Sequence, residues 1–182
     1  MGKELETRII NIDVDKIREK LVNLKAEKVK SENQINDIYD FEDGRLLKAK
    51  GYARIRTVND LINNKEIIFM TTKKMLSQGE FKEMEENEVI VDNKIMAEGI
   101  FKSLGLVLHQ SIKKYRESYK VLDGLVEIDI NDKDFCPFPY IEIETSSLES
   151  LNKILSLLGY TIKDTTSKTI YELIDEYNKN HK

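Results

Sequence analysis

Carboxylates two residues apart recur along the chain: Glu4 with Glu6, Glu83 with Glu85, Glu127 with Asp129, and Glu142 with Glu144. Each pair brackets one apolar residue. Cations repeat the pattern: Arg54 and Arg56 straddle Ile55, Lys114 and Arg116 straddle Tyr115, and Arg8 continues the phase of Glu4 and Glu6. Thr71 and Lys73 share a phase as well. Residues at i and i+2 face one side only in an extended strand; in a helix they would diverge by about 200°. The spacing therefore predicts strands that each carry charge of mostly one sign on one face and apolar residues on the other. Clusters made only of Asp and Glu suit hard, oxygen-seeking ions such as Mg²⁺ or Mn²⁺. Arginine grips phosphate oxygens with two parallel donors, which lysine cannot do. Only six arginines occur, and Arg8, Arg54, Arg56 and Arg116 all lie on these faces. Metal beside polyphosphate is the arrangement that phosphoryl transfer requires. A single sheet with helices on its apolar face and water on its charged face accounts for the same alternation. The one-signed repetition and the placement of arginine favour the binding role.

Composition bounds the rest. The chain has 182 residues, 40% of them hydrophobic and 34% charged, with a net charge of −4. That is enough for a substantial core and excludes disorder. No global basic field draws it to nucleic acid or anionic lipid. Cys136 is the single cysteine, so no intrachain disulfide and no Cys-based zinc site is available. Two histidines, His109 and His181, leave little for a Ser-His-Asp or histidine-rich metal site. The opening MGKELETRII lacks a signal-peptide pattern and no apolar run approaches 18 residues, so a soluble, cytoplasmic protein is expected.

The elements that must position these residues follow from periodicity. Residues 3–12 read as a strand. Asp13 caps a helix over 14–26 with Val14, Ile17, Leu21 and Leu24 on one stripe. Residues 28–41 read as a strand ending in the turn at Asp43-Gly44. Segments 52–58 and 65–75 pair as a hairpin, and 80–91 forms another strand. A helix over 93–104 has Asp92 as its cap and Gly105 as its stop. Strands 106–120 and 121–131 turn near Asp123-Gly124, and 138–145 is the eighth. Ser146 with Glu149 has capping-box spacing and opens a helix through Leu158, and a last helix covers 167–177. The strands follow one another mostly as hairpins, so the expected class is α+β dominated by an antiparallel sheet. Eight such strands can close into a barrel with charge inside and helices outside. No linker interrupts 1–182, which reads as a single domain.

The order of these motifs resembles the CYTH superfamily, the triphosphate tunnel metalloenzymes. Glu4-Leu5-Glu6-Thr7-Arg8 resembles its E-x-E-x-K signature, and Asp37-Ile38-Tyr39 its D-x-Y. Arg54-Ile55-Arg56 matches R-x-R, Met70-Thr71-Thr72-Lys73 is similar to L-T-x-K, and Glu83-Met84-Glu85 fits the next E-x-E. Lys114-Tyr115-Arg116 with Tyr119 resembles K-x-R-x-x-Y, and Asp129 with Ile141-Glu142-Ile143-Glu144 resembles the closing acidic strands. Lys168 with Tyr171-Glu172-Leu173 resembles the terminal K-S-Y-x-E-L. Three departures stand out: Arg8 replaces the signature lysine, Lys74-Met75 replaces a Gly-Pro, and residues 136–139 replace a glycine-containing turn.

The resemblance implies an eight-stranded closed tunnel that holds a triphosphate with cations and Mg²⁺ or Mn²⁺ with carboxylates. It assigns Arg8, Arg54, Arg56, Lys73, Lys114, Arg116 and Lys168 to the triphosphate, and Glu4, Glu6, Asp129, Glu142 and Glu144 to the metal. Glu4, Glu6 and Arg8 are the expected catalytic set, with Glu83, Glu85 and Glu127 as supporting carboxylates. Tyr39 and Tyr119 are expected as wall or barrel-end aromatics, Cys136 as a thiol without a redox role, and His109 at the surface. The leading function is a metal-dependent hydrolase of an inorganic, thiamine or nucleoside triphosphate. A class IV-type adenylyl cyclase, releasing cyclic AMP and pyrophosphate, and a non-catalytic polyphosphate- or nucleotide-binding module are the alternatives. The small-molecule triphosphate is the expected partner, with room for a homodimer and none for a membrane or nucleic acid.

Overall fold

A computed structural model describes residues 5–78 and 82–180, without the side chains of Gln78, Lys82 and Glu83. Its strands are β1 (Leu5–Ile10), β2 (Glu27–Asp40), β3 (Tyr52–Asp60), β4 (Lys65–Gln78), β5 (Lys82–Val91), β6 (Val107–Val121), β7 (Gly124–Asn131) and β8 (Tyr140–Thr145). The helices are α1 (Val14–Asn23), α2 (Arg45–Lys48), α3 (Lys94–Ser103), α4 (Leu148–Leu158) and α5 (Ile170–Asn180), with a 3₁₀ turn at Ile162–Asp164. Hydrogen bonding orders the strands β1-β5-β4-β3-β2-β6-β7-β8 and returns from β8 to β1, a closed and largely antiparallel sheet. No helix among the described residues is long and apolar enough to cross a membrane.

The chain forms two compact units. The first comprises residues 1–29, 78–83 and 117–182. In its register Thr7 pairs with Ile143 and Ile9 with Ile141, while Val126 and Ile128 oppose the same two residues from β7. These residues face one way, and α1 and α4 cover them with Ile17, Leu21, Leu151, Ile154, Leu155 and Leu158. The residues between them in sequence, Glu6, Arg8, Glu127, Asp129, Glu142 and Glu144, therefore share the opposite face. At one end of that face Ile10 and Tyr140 pack with Phe138, Cys136 and Leu173 of α5.

The second unit comprises residues 30–77 and 84–116. Tyr39, Ala53 and Ile55 form its core with Ala97 and Phe101 of α3. Tyr39 meets Phe101 at 5.2 Å between ring centroids. Burial, with the carboxylates of Glu98 and Asp37 nearby, pushes its phenol up to about 12. Lys94 fixes the start of α3 to Asp37 at 2.7 Å.

Local signals place the starts of α1, α3 and α4 to within a residue, whereas α1 ends three residues sooner than expected and α5 lies three residues later at both ends. Asp13 accepts from the Lys16 amide as expected. The cap of α3 is Asn93, accepting from Met96, and not Asp92. The cap of α4 is Ser147, accepting from Ser150, whereas Ser146 donates to Asp123. α2 forms where a bare turn was expected, because the buried Asp40 carboxylate accepts from the Leu46 and Leu47 amides and satisfies donors of its first turn.

Gly124 opens β7 where a Cβ would lie 2.6 Å from the Glu144 carbonyl oxygen and 2.8 Å from Ile154 Cδ1. Gly124→Ala is therefore expected to cost about 1–3 kcal/mol through overpacking. Ile128→Ala, at a fully buried position, is expected to cost about 2–5 kcal/mol. Urea unfolding measures both, and a Gly124→Ala variant as stable as the parent would show that β7 and β8 are not in close contact there.

Candidate functional site

In the first unit three antiparallel strands bring carboxylates into cross-strand rows. Glu6 pairs with Glu144, and Arg8 with Glu142, which in turn pairs with Glu127. Such a cluster repels itself unless a cation lies within it. Arg8 is that cation: one Nη donates to Glu6 at 2.5 Å and also to Glu142. Its other Nη donates to the Lys168 carbonyl at 3.0 Å. The backbone of Arg8 exchanges two hydrogen bonds with Thr166, so the segment leading to α5 is stitched along β1. Ser118 donates to Glu127 at 2.7 Å, and Asp129 is fully buried in the row of Tyr140 and Ile10.

The donor chemistry of this face, carboxylates alone, fits Mg²⁺ or Mn²⁺. Among the described residues no three carboxylate, cysteine or histidine side chains converge as a metal site. Arg8 holds Glu6 and Glu142, and Glu4 lies outside the described residues.

In the second unit the register aligns Tyr52 with Lys73, Arg54 with Thr71 and Ile38, and Arg56 with Phe69 and Asn36. Both guanidinium groups are nearly buried. Glu88 of β5 accepts from Arg56 at 2.9 Å, Arg54 at 3.4 Å and the Thr71 hydroxyl at 2.7 Å. Glu86 lies 2.9 Å from Lys73 and 3.6 Å from Arg54. Phe69 stacks beneath Arg56 at 4.9 Å, and Tyr52 lies 5.5 Å from Arg54. Compensation is incomplete. Burial first, then the charges of Arg54 and Arg116 against the partial relief from Glu88, pull Arg56 below the usual guanidinium range. The Nε donors of Arg54 and Arg56 are buried and meet no acceptor among the described residues.

Several expected roles are relocated. Glu85 accepts from Asn87, which shares its strand phase, while Glu86 and Glu88 in the opposite phase reach the cations. Glu83's side chain lies outside the described residues. Glu83, Glu85, Glu86 and Glu88 occupy both phases of one strand, so alternation by itself leaves the inward phase open. Lys168 directs its amine to Glu176 of α5 at 2.5 Å, and only its carbonyl reaches Arg8. Tyr39 and Tyr119 are core residues under the helices, and Tyr119 donates to Glu117 at 2.8 Å. Asp37 is an anchor for Lys94 and accepts from Ser111 at 2.6 Å. Arg116 is buried and Lys114 half-buried on β6, in the phase of Ile112. Cys136 is buried in the small core beneath α5, where burial raises its thiol, and His109 is exposed with a ring nitrogen 2.8 Å from the Phe41 carbonyl.

Comparison with known proteins agrees with this arrangement of strands. The PH1819 protein of Pyrococcus horikoshii superposes with a TM-score of 0.78 at 24% identity, covering 96% of this chain and 99% of its own. A candidate adenylate cyclase of Vibrio parahaemolyticus gives 0.74 at 13% identity over 96% and 98%. A candidate adenylyl cyclase of Hippeastrum, with a dominant triphosphatase activity, gives 0.64 at 18% identity over 86% and 85%. At these identities the likeness is one of fold. No curated protein matches the sequence. The CYTH domain, however, matches residues 2–170, nearly the whole chain, and the chain therefore belongs to the CYTH domain family.

Proposed function

We propose that this protein is a divalent-metal-dependent triphosphatase. The observation that carries the reading is the undercompensated guanidinium pair. Arg54 and Arg56 lie nearly buried side by side, Arg56 is pulled down by burial and by its cationic neighbours, and each keeps a buried Nε donor with no acceptor among the described residues. An anion with several oxygens supplies those acceptors and removes the repulsion. Lys73, Lys114 and Arg116 extend the same binding role along the strands. Glu6, Glu142 and Glu144, with Glu4 and Asp129, are the carboxylates that would hold Mg²⁺ or Mn²⁺. When bound, such an ion neutralises phosphate oxygens and lowers the pKa of water toward neutrality. Arg8 holds Glu6 and Glu142 by ion pairs and is the residue that must give them up. Once free, its guanidinium can turn to phosphate, the role expected of the signature position. Glu86 and Glu88 hold the cations in place without cancelling them.

Turnover of tripolyphosphate, thiamine triphosphate and ATP with Mg²⁺ and Mn²⁺ tests the reading, and orthophosphate is the expected product. Cyclic AMP with pyrophosphate would replace it with a cyclase. Tight binding without product would replace it with a binding module.

Arg56→Ala should weaken tripolyphosphate binding by about 1.5–3 kcal/mol, the range for hydrogen bonds to charged groups. Its melting temperature should stay near the parent's, because the substitution also relieves repulsion with Arg54. Calorimetric titration beside a thermal melt checks this, and equal losses in both would mean that Arg56 only pairs with Glu88.

Glu88→Gln should act the opposite way on affinity. It removes the carboxylate shared by both arginines, so tripolyphosphate should bind several-fold more tightly to the metal-free protein while the fold loses stability. Weaker binding would show that Glu88 positions the arginines more than it competes with the anion.

Glu6→Gln and Glu142→Gln keep shape and remove charge, and both should raise the Mg²⁺ concentration needed for half-maximal turnover by at least about tenfold. Unchanged metal dependence in both variants would place the ion on other residues.

A further inference from the structure

Taking the arginine pair as the seat of a triphosphate, the reading given above, we propose that Asn36 and Gln34 of β2 recognise the group attached to it, so that the site takes the triphosphate of an amine-bearing nitrogen heterocycle in preference to bare tripolyphosphate. In the second unit β2, β3 and β4 carry their cations on one face in successive rows. Lys73 stands opposite Tyr52, then Arg54 lies between Ile38 and Thr71, then Arg56 lies between Asn36 and Phe69. Neighbouring rows are two residues, about 6.5–7 Å, apart. One row beyond Arg56 the cations stop: Val58, which is buried, lies between Gln34 and Ile67.

The two amides at this boundary are short of donors. Asn36 is 6% exposed, and its Oδ1 is buried with no hydrogen-bond partner among the described residues. Gln34 is 2% exposed. Its Nε2 donates to Glu32 at 2.6 Å, which fixes the orientation of the amide, and its Oε1 is buried and unmet as well. Among the described residues these are the two side-chain amide oxygens left in that state, and they stand at i and i+2 on the face that carries Arg54 and Arg56. Leaving a buried acceptor unmet is costly, whereas an apolar group of the same shape is not. An ionised phosphate cannot relieve this cost, because its oxygens are themselves acceptors. The partner that suits Asn36 and Gln34 is an N–H or O–H.

A donor beside a polyphosphate is what the heterocycle of an organic triphosphate supplies. The polarity of the rows gives the orientation. Lys73, at the cationic end, suits the terminal phosphate, and the row of Gln34, Val58 and Ile67 offers an apolar wall with an acceptor on it for a flat ring. A primary amide accepts from a ring amine and donates to the neighbouring ring nitrogen at once, the pairing by which Asn and Gln read adenine in nucleic acids. The adenine of ATP and the aminopyrimidine of thiamine triphosphate both carry such an amine.

Calorimetric titration of the metal-free protein with tripolyphosphate, ATP and thiamine triphosphate tests this. At least one of the two organic triphosphates should bind about tenfold more tightly than tripolyphosphate, the gain of one or two further hydrogen bonds. Tripolyphosphate carries the larger charge, so attraction to the cations alone would rank it first. Asn36→Leu keeps the branching of the side chain and removes its amide. It should abolish the preference while leaving tripolyphosphate affinity unchanged and the melting temperature at or above the parent's, because a buried unmet acceptor is gone. Gln34→Met should lower the preference in the same direction, and it keeps the test open if Asn36→Leu does not fold. Preference for ATP and preference for thiamine triphosphate each support the proposal and tell its two sources apart. A parent protein that binds tripolyphosphate at least as tightly as both organic triphosphates overturns it, and so does a preference that survives in both variants. A protein that binds none of the three overturns the triphosphate reading as well.

Discussion

Like charges on one face of a strand must be given partners, and much of this molecule's arrangement follows from that requirement. Alternation forces the charged face into being. Once the apolar residues of β1, β7 and β8 are buried against α1 and α4, Glu6, Glu127, Asp129, Glu142 and Glu144 must share the other side. In the first unit Arg8 lies between Glu6 and Glu142 and relieves the repulsion there. The second unit has the inverse problem and meets it with Glu86 and Glu88 against Arg54, Arg56 and Lys73.

Neither solution is complete. Arg8 uses both Nη atoms, on two carboxylates and a carbonyl, and is tied by its backbone to Thr166. It therefore links the acidic face to the segment that carries α5. The Nε donors of Arg8, Arg54 and Arg56 are all buried and meet no acceptor among the described residues, and Arg54 and Arg56 in addition repel one another. A fold selected only for stability would gain by replacing one of them with an apolar residue of similar volume.

The helices show the same economy of faces. Each buries one apolar stripe and, for α1, α4 and α5, presents charge to water. In α3 the buried stripe is short, Ala97 and Phe101, and the apolar residues continue around to the exposed side. Ile95, Met96 and Ile100 are exposed there, and Glu98 pairs with Lys94 and Lys102 on the adjoining flank.

The two-residue period was sufficient to identify the strands, their charged faces, and Arg54, Arg56, Glu6 and Glu142 as residues of interest, because side chains on a pleated strand must alternate. Short-range hydrogen bonding likewise made the starts of α1, α3 and α4 legible to within a residue, as with Asp13. Where both phases of a strand are acidic, as over 83–88, the period carries no information about which phase turns inward; pairing with a neighbouring strand decides it, and it chose Glu86 and Glu88. The family resemblance put Lys168 among the cations, but the turn into α5 gave its amine to Glu176 and only its carbonyl to Arg8. The sequence alone thus determined which residues share a strand face. Which charges meet was left to the tertiary structure, because a contact between residues distant in the chain depends on register and on the path of the backbone, and neither is written in local spacing.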